Sequence, residues 1–190
     1  MPASLIRGAS LTLRPVGADD GPWLRRIFAS TRDDLACLPL PEAQKAQLIE
    51  MQFRAQDGQF RGQYPGARFD LVLLDGAVAG RLYVDHRDGE IELIDIALLP
   101  QYRQQGVGSA LLRQLLGQAA AAGCRLLLQV TRNNRALRLY QRAGFEIFAD
   151  SGVYFSMEWN PEKRPGTVPR ASLHSQLDNK EHGYVPTIYG

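Results

Sequence analysis

The sequence predicts a mixed α/β fold, and three observations carry that prediction. Apolar runs of strand length interleave with stretches of helical period along most of the chain. Asp75-Gly76 separates two such strand-like runs, and Asp-Gly supplies the positive φ that a two-residue hairpin turn needs. From residue 91 to residue 130 the order is apolar run, glycine turn, helical stretch, apolar run, which is the order of a parallel strand-helix-strand crossover.

Taken in order, residues 11–14 alternate apolar and polar side chains and stop at Pro15, as a short edge strand does. Asp19 and Asp20 stand where acids favour a helix start, ahead of Trp23, Leu24 and Phe28. Residues 41–54 space Leu48, Met51 and Gln52 about one turn apart, so a second helix is expected there, followed by a glycine-rich loop over 57–66. Residues 69–74 and 78–84 form the hairpin around Asp75-Gly76, a loop covers 85–89, and a strand covers 91–99. After the turn at Gly106, Val107, Leu111, Leu112, Leu115, Leu116 and Ala119 mark one helix face, with Gly123 as its stop. Residues 126–130 read as a buried strand, Asn133 or Asn134 caps a helix through Arg142, Gly144 ends it, and two last strands cover 145–148 and 153–159.

The chain of 190 residues, 45% hydrophobic and 22% charged, fits one domain over residues 1–160 with an ordinary core. Residues 161–190 hold four prolines and no periodicity and read as a tail, in which Tyr184, Val185, Ile188 and Tyr189 could anchor on a neighbouring subunit. A net charge of +2 argues against wholesale nucleic-acid binding. Cys37 and Cys124 lack metal or disulfide spacing and are expected to be buried free thiols. Two of the three histidines, His174 and His182, fall in the tail, so no metal centre is expected. No window reaches the apolar length that crosses a bilayer, and no secretory signal opens the chain, so no membrane partner and a cytoplasmic location are expected.

Charge is unevenly distributed. Residues 96–145 contain no Asp or Glu and seven arginines, whereas fourteen acids lie among the first 95 positions. At the head of the acid-free stretch stands Arg103-Gln104-Gln105-Gly106-Val107-Gly108, between a strand and a helix. A glycine turn that opens a helix presents unpaired N–H groups and about half a positive charge, which makes an anion seat. Arginine suits a ligand with several phosphates. No lysine follows Gly108, so the P-loop pattern fails, and Leu111 stands where a dinucleotide motif needs its third glycine.

A third pattern fits in register: Arg/Gln-x-x-Gly-x-Gly/Ala between strand and helix, then Asn-x-x-Ala-x-x-x-Tyr-x-x-x-Gly-Phe. The chain supplies Arg103, Gly106 and Gly108, then Asn133, Ala136, Tyr140, Gly144 and Phe145. Over residues 9–160 it resembles the GCN5-related N-acetyltransferase (GNAT) superfamily. The resemblance implies a mixed, mostly antiparallel sheet of six to seven strands with about four helices and a splayed central parallel pair. It implies acetyl-CoA as cosubstrate, with the pyrophosphate on the amides of Gln104, Gln105, Gly106, Val107, Gly108 and Ser109, and Arg103 assisting. Ile96, Ala97 and Leu98 would offer backbone groups to the pantetheine arm, and Asn133 would hydrogen-bond it. Tyr140 would protonate the departing thiolate, and Phe145 would pack. Homodimers are common for such a fold.

Acetylating a primary amine also requires a proton acceptor. Glu92, five residues before Ala97, matches the glutamate of histone-type members and is the first choice. Glu90 and Asp95 are the other carboxylates of the strand, with a water relay as a further route. Strand alternation puts Glu90 and Glu92 on one face and Asp95 on the other unless a bulge intervenes. Gln129 stands where ribosomal-protein acetyltransferases of the superfamily carry their glutamate, and an amide cannot take the proton. The acids Asp85, Asp88, Glu90, Glu92 and Asp95 would favour a cationic acceptor if they lined the cleft. The expected activity is therefore direct acetyl transfer to a small-molecule or peptide amine without an acyl-enzyme. A non-catalytic acyl-CoA-binding or sensing module is the alternative, and a scaffold acting through its tail is a third reading.

Overall fold

The structure, a computed structural model, describes residues 8–162, so the expected tail beyond Glu162 lies outside the described residues, as do His174 and His182. Strand β1 (Leu11–Pro15) is followed by α1 (Gly21–Ala29), the four-residue α2 (Asp33–Ala36) and the long α3 (Glu42–Gln63). Then come β2 (Arg68–Leu74), β3 (Ala77–Arg87) and β4 (Glu90–Leu98). Helix α4 (Val107–Ala122), β5 (Arg125–Thr131), α5 (Leu137–Arg142), β6 (Glu146–Asp150) and β7 (Tyr154–Trp159) complete the order. The seven strands form one sheet in the order β1-β2-β3-β4-β5-β7-β6, in which β4 and β5 are the one parallel pair among the described strands.

Each face of the sheet carries its own core. On one face Leu82, Val84, Ile91, Leu93, Ile96 and Leu98 meet Leu111, Leu112 and Leu115 of α4 and Tyr140 of α5. On the other, Leu71, Tyr83, Ile94, Ala97 and Leu99 meet Leu24, Ile27 and Phe28 of α1 and Phe53 and Phe60 of α3. Arg14 and the Gly17 N–H both bond to the Asp20 carboxylate, at 2.8 and 2.7 Å, which ties β1 to the start of α1.

Three expectations are corrected. Residues 57–63 of the expected glycine-rich loop are the last turns of α3, and only 64–66 leave the helix, because Phe60 and Tyr64 continue the buried face of Phe53, and that burial outweighs the helix cost of Gly58 and Gly62. The expected loop 85–89 shrinks to a turn at Asp88-Gly89, with Gly89 at φ 74°, because Arg87 pairs with Asp85, Glu90 and Glu92 and carries the strands further. Cys37 is exposed and Cys124 half-buried, since Cys37 sits at the end of the short outer helix α2.

Two outcomes follow from the packing. At Gly80 a Cβ would overlap the Ala97 carbonyl oxygen of the neighbouring strand, so Gly80→Ala is expected to cost roughly 1–3 kcal/mol in a denaturant titration. The Arg14 side chain, then the Gly17 N–H, hold the Asp20 carboxyl below the usual carboxylate range. Its contribution is therefore complete above the unfolded-state pKa of about 4 and is lost as pH falls through the lowered folded value. The melting temperatures of wild type and Asp20→Asn should converge as pH drops through that window.

Candidate active site

The parallel pairing of β4 with β5 spans only Glu90 to Leu93 against Arg125 to Leu128. It stops where β4 carries an extra residue: Val84 faces Leu93, Tyr83 faces Asp95, and Ile94 is left over as a bulge. Beyond the bulge the two strands diverge into a fork. The Leu99 N–H donates to the Ala79 carbonyl on the β3 side at 2.8 Å, so the preceding carbonyl, that of Leu98, faces the fork. Ile96, Ala97 and Leu98 thus stand along this open edge, with the side chains of Ile96 and Leu98 packed toward α4 and that of Ala97 toward α1 and α3.

Past the fork, a short turn at Pro100–Tyr102 leads into a tight backbone reversal with φ of 59° at Gln104 and 86° at Gly106. Gly106 occupies the N-cap position of α4, and no side chain caps that end. Helix geometry leaves the amides of Val107, Gly108 and Ser109 without intrahelical acceptors. Val107 anchors the turn in the core at 0% exposure, and the side-chain Nε2 of Gln105 donates to the Gln101 carbonyl.

Arg103 is turned inward. Its Nε donates to the Leu98 carbonyl at 2.8 Å and its Nη2 to the Ser30 carbonyl at 2.7 Å, which joins the end of α1 to the open edge of β4. Among the other arginines, Arg125 pairs with Glu90 and Glu158, and Arg132 with Asp150, both away from the turn. A cleft of about 310 Å³ opens beside the fork, lined by Ser30, Thr31, Asp33 and Asp34 on one wall and Arg103, Asn133 and Arg135 among the others. Asn134, not Asn133, caps the turn into α5, accepting from the Ala136 N–H at 2.7 Å, so Asn133 remains exposed at the cleft.

The bulge also corrects the expected facing of the carboxylates. Asp85 and Tyr83 share a face of β3 and stand opposite Glu92 and Asp95, so Glu90, Glu92 and Asp95 all lie on the face of α1 and α3. Glu92 accepts from Tyr64 Oη at 2.8 Å and pairs with Arg87 at 3.1 Å. Burial, and then the Glu92 charge, push the Tyr64 hydroxyl up, which keeps it a donor. Asp95 is fully buried, with Oδ2 bonded to Arg81 Nε at 2.6 Å. Burial pushes its carboxyl above the usual range while Arg81 pulls against that shift. The acidic run is thus interleaved with Arg81, Arg87 and Arg125 rather than forming one negative wall. Tyr140, 2% exposed, packs edge-on to Phe145 at 5.8 Å, and burial followed by the Asp95 charge pushes its hydroxyl up, so it stays protonated.

The sequence profile of the Acetyltransferase (GNAT) family matches residues 31–145, more than half of the chain. The chain belongs to the GNAT family. Over 76 residues it is 37% identical to an uncharacterized N-acetyltransferase of Mycobacterium bovis, covering 38% of this chain, so it spans about half (49%) of that relative's length. Among solved structures it is similar to the PaiA N-acetyltransferase of Thermoplasma acidophilum in complex with coenzyme A, with TM-score 0.60, 20% identity and coverage of 80% and 99% of the two chains. It is also similar to the ribosomal-protein-S18-alanine N-acetyltransferase of Escherichia coli, with TM-score 0.56, 20% identity and coverage of 85% and 100%. At these identities the likeness establishes the GNAT fold, including its forked parallel pair. No described helix is long and apolar enough to cross a membrane, and the described residues contain no group of three or more His, Cys, Asp or Glu placed to hold a metal.

Sequence reading missed Ser30, Arg81 and the bond from Tyr64 to Glu92. The signal for Arg81 was present: a lone arginine inside an apolar strand, and a lone aspartate inside Ile94-Asp95-Ile96, are buried only if paired. Breaking that pair from one side leaves a buried charge, so Arg81→Met is expected to cost about 3–5 kcal/mol. The double variant Arg81→Met with Asp95→Leu should recover most of the loss in the same denaturant titration.

Proposed function

We propose that this protein is an N-acetyltransferase that moves the acetyl group of acetyl-CoA to a primary amine by direct attack. The observation that carries this reading is the continuity of the fork with the uncapped start of α4: an unpaired strand edge leads straight to an anion seat. Acetyl-CoA has that same order of parts, a peptide-like arm ending in a pyrophosphate. In this reading Ile96, Ala97 and Leu98 hold the pantetheine as an added half strand. The amides of Gln104, Gln105, Gly106, Val107, Gly108 and Ser109 hold the pyrophosphate, and Asn133 bonds the arm from the far wall. Arg103, which lines the cleft, serves the seat by bracing the Leu98 carbonyl.

The thioester then lies where the strands separate, beside the bulge. A backbone N–H near Leu98 stabilises the oxyanion. Glu92 takes the N–H proton released as the C–N bond forms, and Tyr64 fixes its orientation. Tyr140, kept neutral by burial, gives its proton to the sulfur as the C–S bond breaks. The acceptor is an amine of a small molecule or a peptide; the solved neighbours include the ribosomal-protein-S18-alanine N-acetyltransferase, which supports an amine generally.

Acetyl-CoA at about a thousand times its Kd should stabilise the protein by about 4 kcal/mol, read as an upward shift in Tm, and an unchanged Tm would refute the donor seat. Glu92→Gln and Tyr140→Phe should each lower kcat on an accepted amine by roughly 10²-fold or more while leaving that shift in place. Thiol release measured across small amines and peptide amino termini identifies the acceptor, and full turnover by both variants would refute their roles.

A further inference from the structure

Residues 131–135 join β5 to α5 and form the far wall of the cleft. Thr131, Asn133, Asn134 and Arg135 line it, and Arg132 does not. The Asn134 N–H donates to the Thr131 carbonyl at 3.0 Å, so Arg132 and Asn133 are the two central residues of a β-turn. Asn134 is tied forward to the start of α5, accepting from the Ala136 N–H at 2.7 Å. Asn133 is exposed and makes no hydrogen bond of its own among the described residues. Its place at the cleft therefore depends on what holds its neighbours.

Arg132 turns the other way, onto the β6–β7 hairpin. Its N–H donates to the Val153 carbonyl at 3.1 Å, one residue past the last β5–β7 pair, Thr131 with Tyr154. Its guanidinium donates to the Gly152 carbonyl at 3.4 Å, pairs with Asp150 Oδ2 at 3.2 Å and lies over the Phe155 ring, 5.0 Å from the centroid. The other oxygen of Asp150 accepts from the Gly152 N–H at 2.8 Å, and Ser151 Oγ bonds both the N–H and the carbonyl of Tyr154. The hairpin turn is thus braced within itself where Arg132 grips it. With 48% of the arginine side chain exposed, each of these contacts adds little stability. Their joint effect is geometric: a planar fork that meets a carbonyl, a carboxylate and a ring together is restricted to one orientation.

We infer that Arg132 is a positioning residue for coenzyme binding: by gripping the hairpin at Asp150, Gly152, Val153 and Phe155, it holds Asn133 at the cleft before the ligand arrives. The inference rests on the proposed contact between Asn133 and the pantetheine arm. A turn residue with no bond of its own must otherwise be ordered on binding, and that entropy loss weakens affinity. With Arg132 in place the ordering is done when the chain folds. The hairpin lends no side chain to the lining of the cleft, yet it belongs to the donor seat through this one arginine.

The test is the Kd of acetyl-CoA, measured by calorimetry for wild type, Arg132→Met, Asn133→Ala and the double variant. Arg132→Met should weaken binding roughly tenfold, as ordering about one residue on binding implies. The Tm of the free protein, and kcat on an accepted amine at saturating acetyl-CoA, should stay near wild type. In the Asn133→Ala background the Arg132→Met change should have no further effect, because the side chain it positions is already gone. A merely structural role would not produce that non-additivity. Asp150→Ala breaks the same grip from the hairpin side and should weaken binding in the same direction, which provides the reading if Arg132→Met does not fold. A wild-type Kd in the folded variant that breaks the grip, or effects of Arg132→Met and Asn133→Ala that add in the double variant, overturns the inference. If Asn133→Ala binds acetyl-CoA as wild type does, the proposed pantetheine contact falls and the inference with it. A wild type that does not bind acetyl-CoA refutes the donor seat itself.

Discussion

One extra residue in β4 governs the architecture of this site. With Ile94 inserted between the pairs Leu93-Val84 and Asp95-Tyr83, β4 keeps its bonds to β3 but parts from β5 after Leu93. A bulge bends its strand and increases the local twist, which is what separating two parallel neighbours requires. The same insertion resets the alternation of side chains. Ile96 and Leu98 still pack on α4, while Asp95 joins Glu92 on the opposite face. A single backbone irregularity thus opens an unpaired edge and gathers carboxylates beside its apex.

The surrounding contacts hold that opening in shape. Arg103 spans the top, joining the last turn of α1 to the Leu98 carbonyl. Arg81 and Asp95 lock β3 to β4 at the bulge, and Gln56 extends the lock to α3. A fully buried ion pair contributes little net stability, because desolvation offsets most of its Coulomb energy. A register that separated the pair would leave an uncompensated buried charge, which disfavours slippage of β3 against β4 at the bulge.

The sequence made much of this legible, and what it hid has physical reasons. Asp75-Gly76 and Gly106 were readable because turn chemistry is local, and the structure places a turn at each. The two linked signatures from Arg103 to Phe145 were readable because a tight turn at a helix start constrains residue type at fixed spacing. Residues 57–63 were misread because Gly58 and Gly62 oppose helix locally, while the burial of Phe60 and Tyr64 that overrides them is tertiary. The facing of Asp95 depended on a bulge that period-two reasoning cannot locate. Tyr64 bonds Glu92 from 28 residues away, a contact that only the folded chain defines.

The central claim is that the open edge of β4 and the uncapped start of α4 form one donor seat. Hydrogen exchange of the backbone amides with and without acetyl-CoA tests it most directly, because it reads the very groups assigned to the ligand. The account expects exchange to slow at residues 96–98 and 104–109 together, with β1 and β2 unchanged. Slowing confined to other segments, or none at saturating acetyl-CoA, would contradict it.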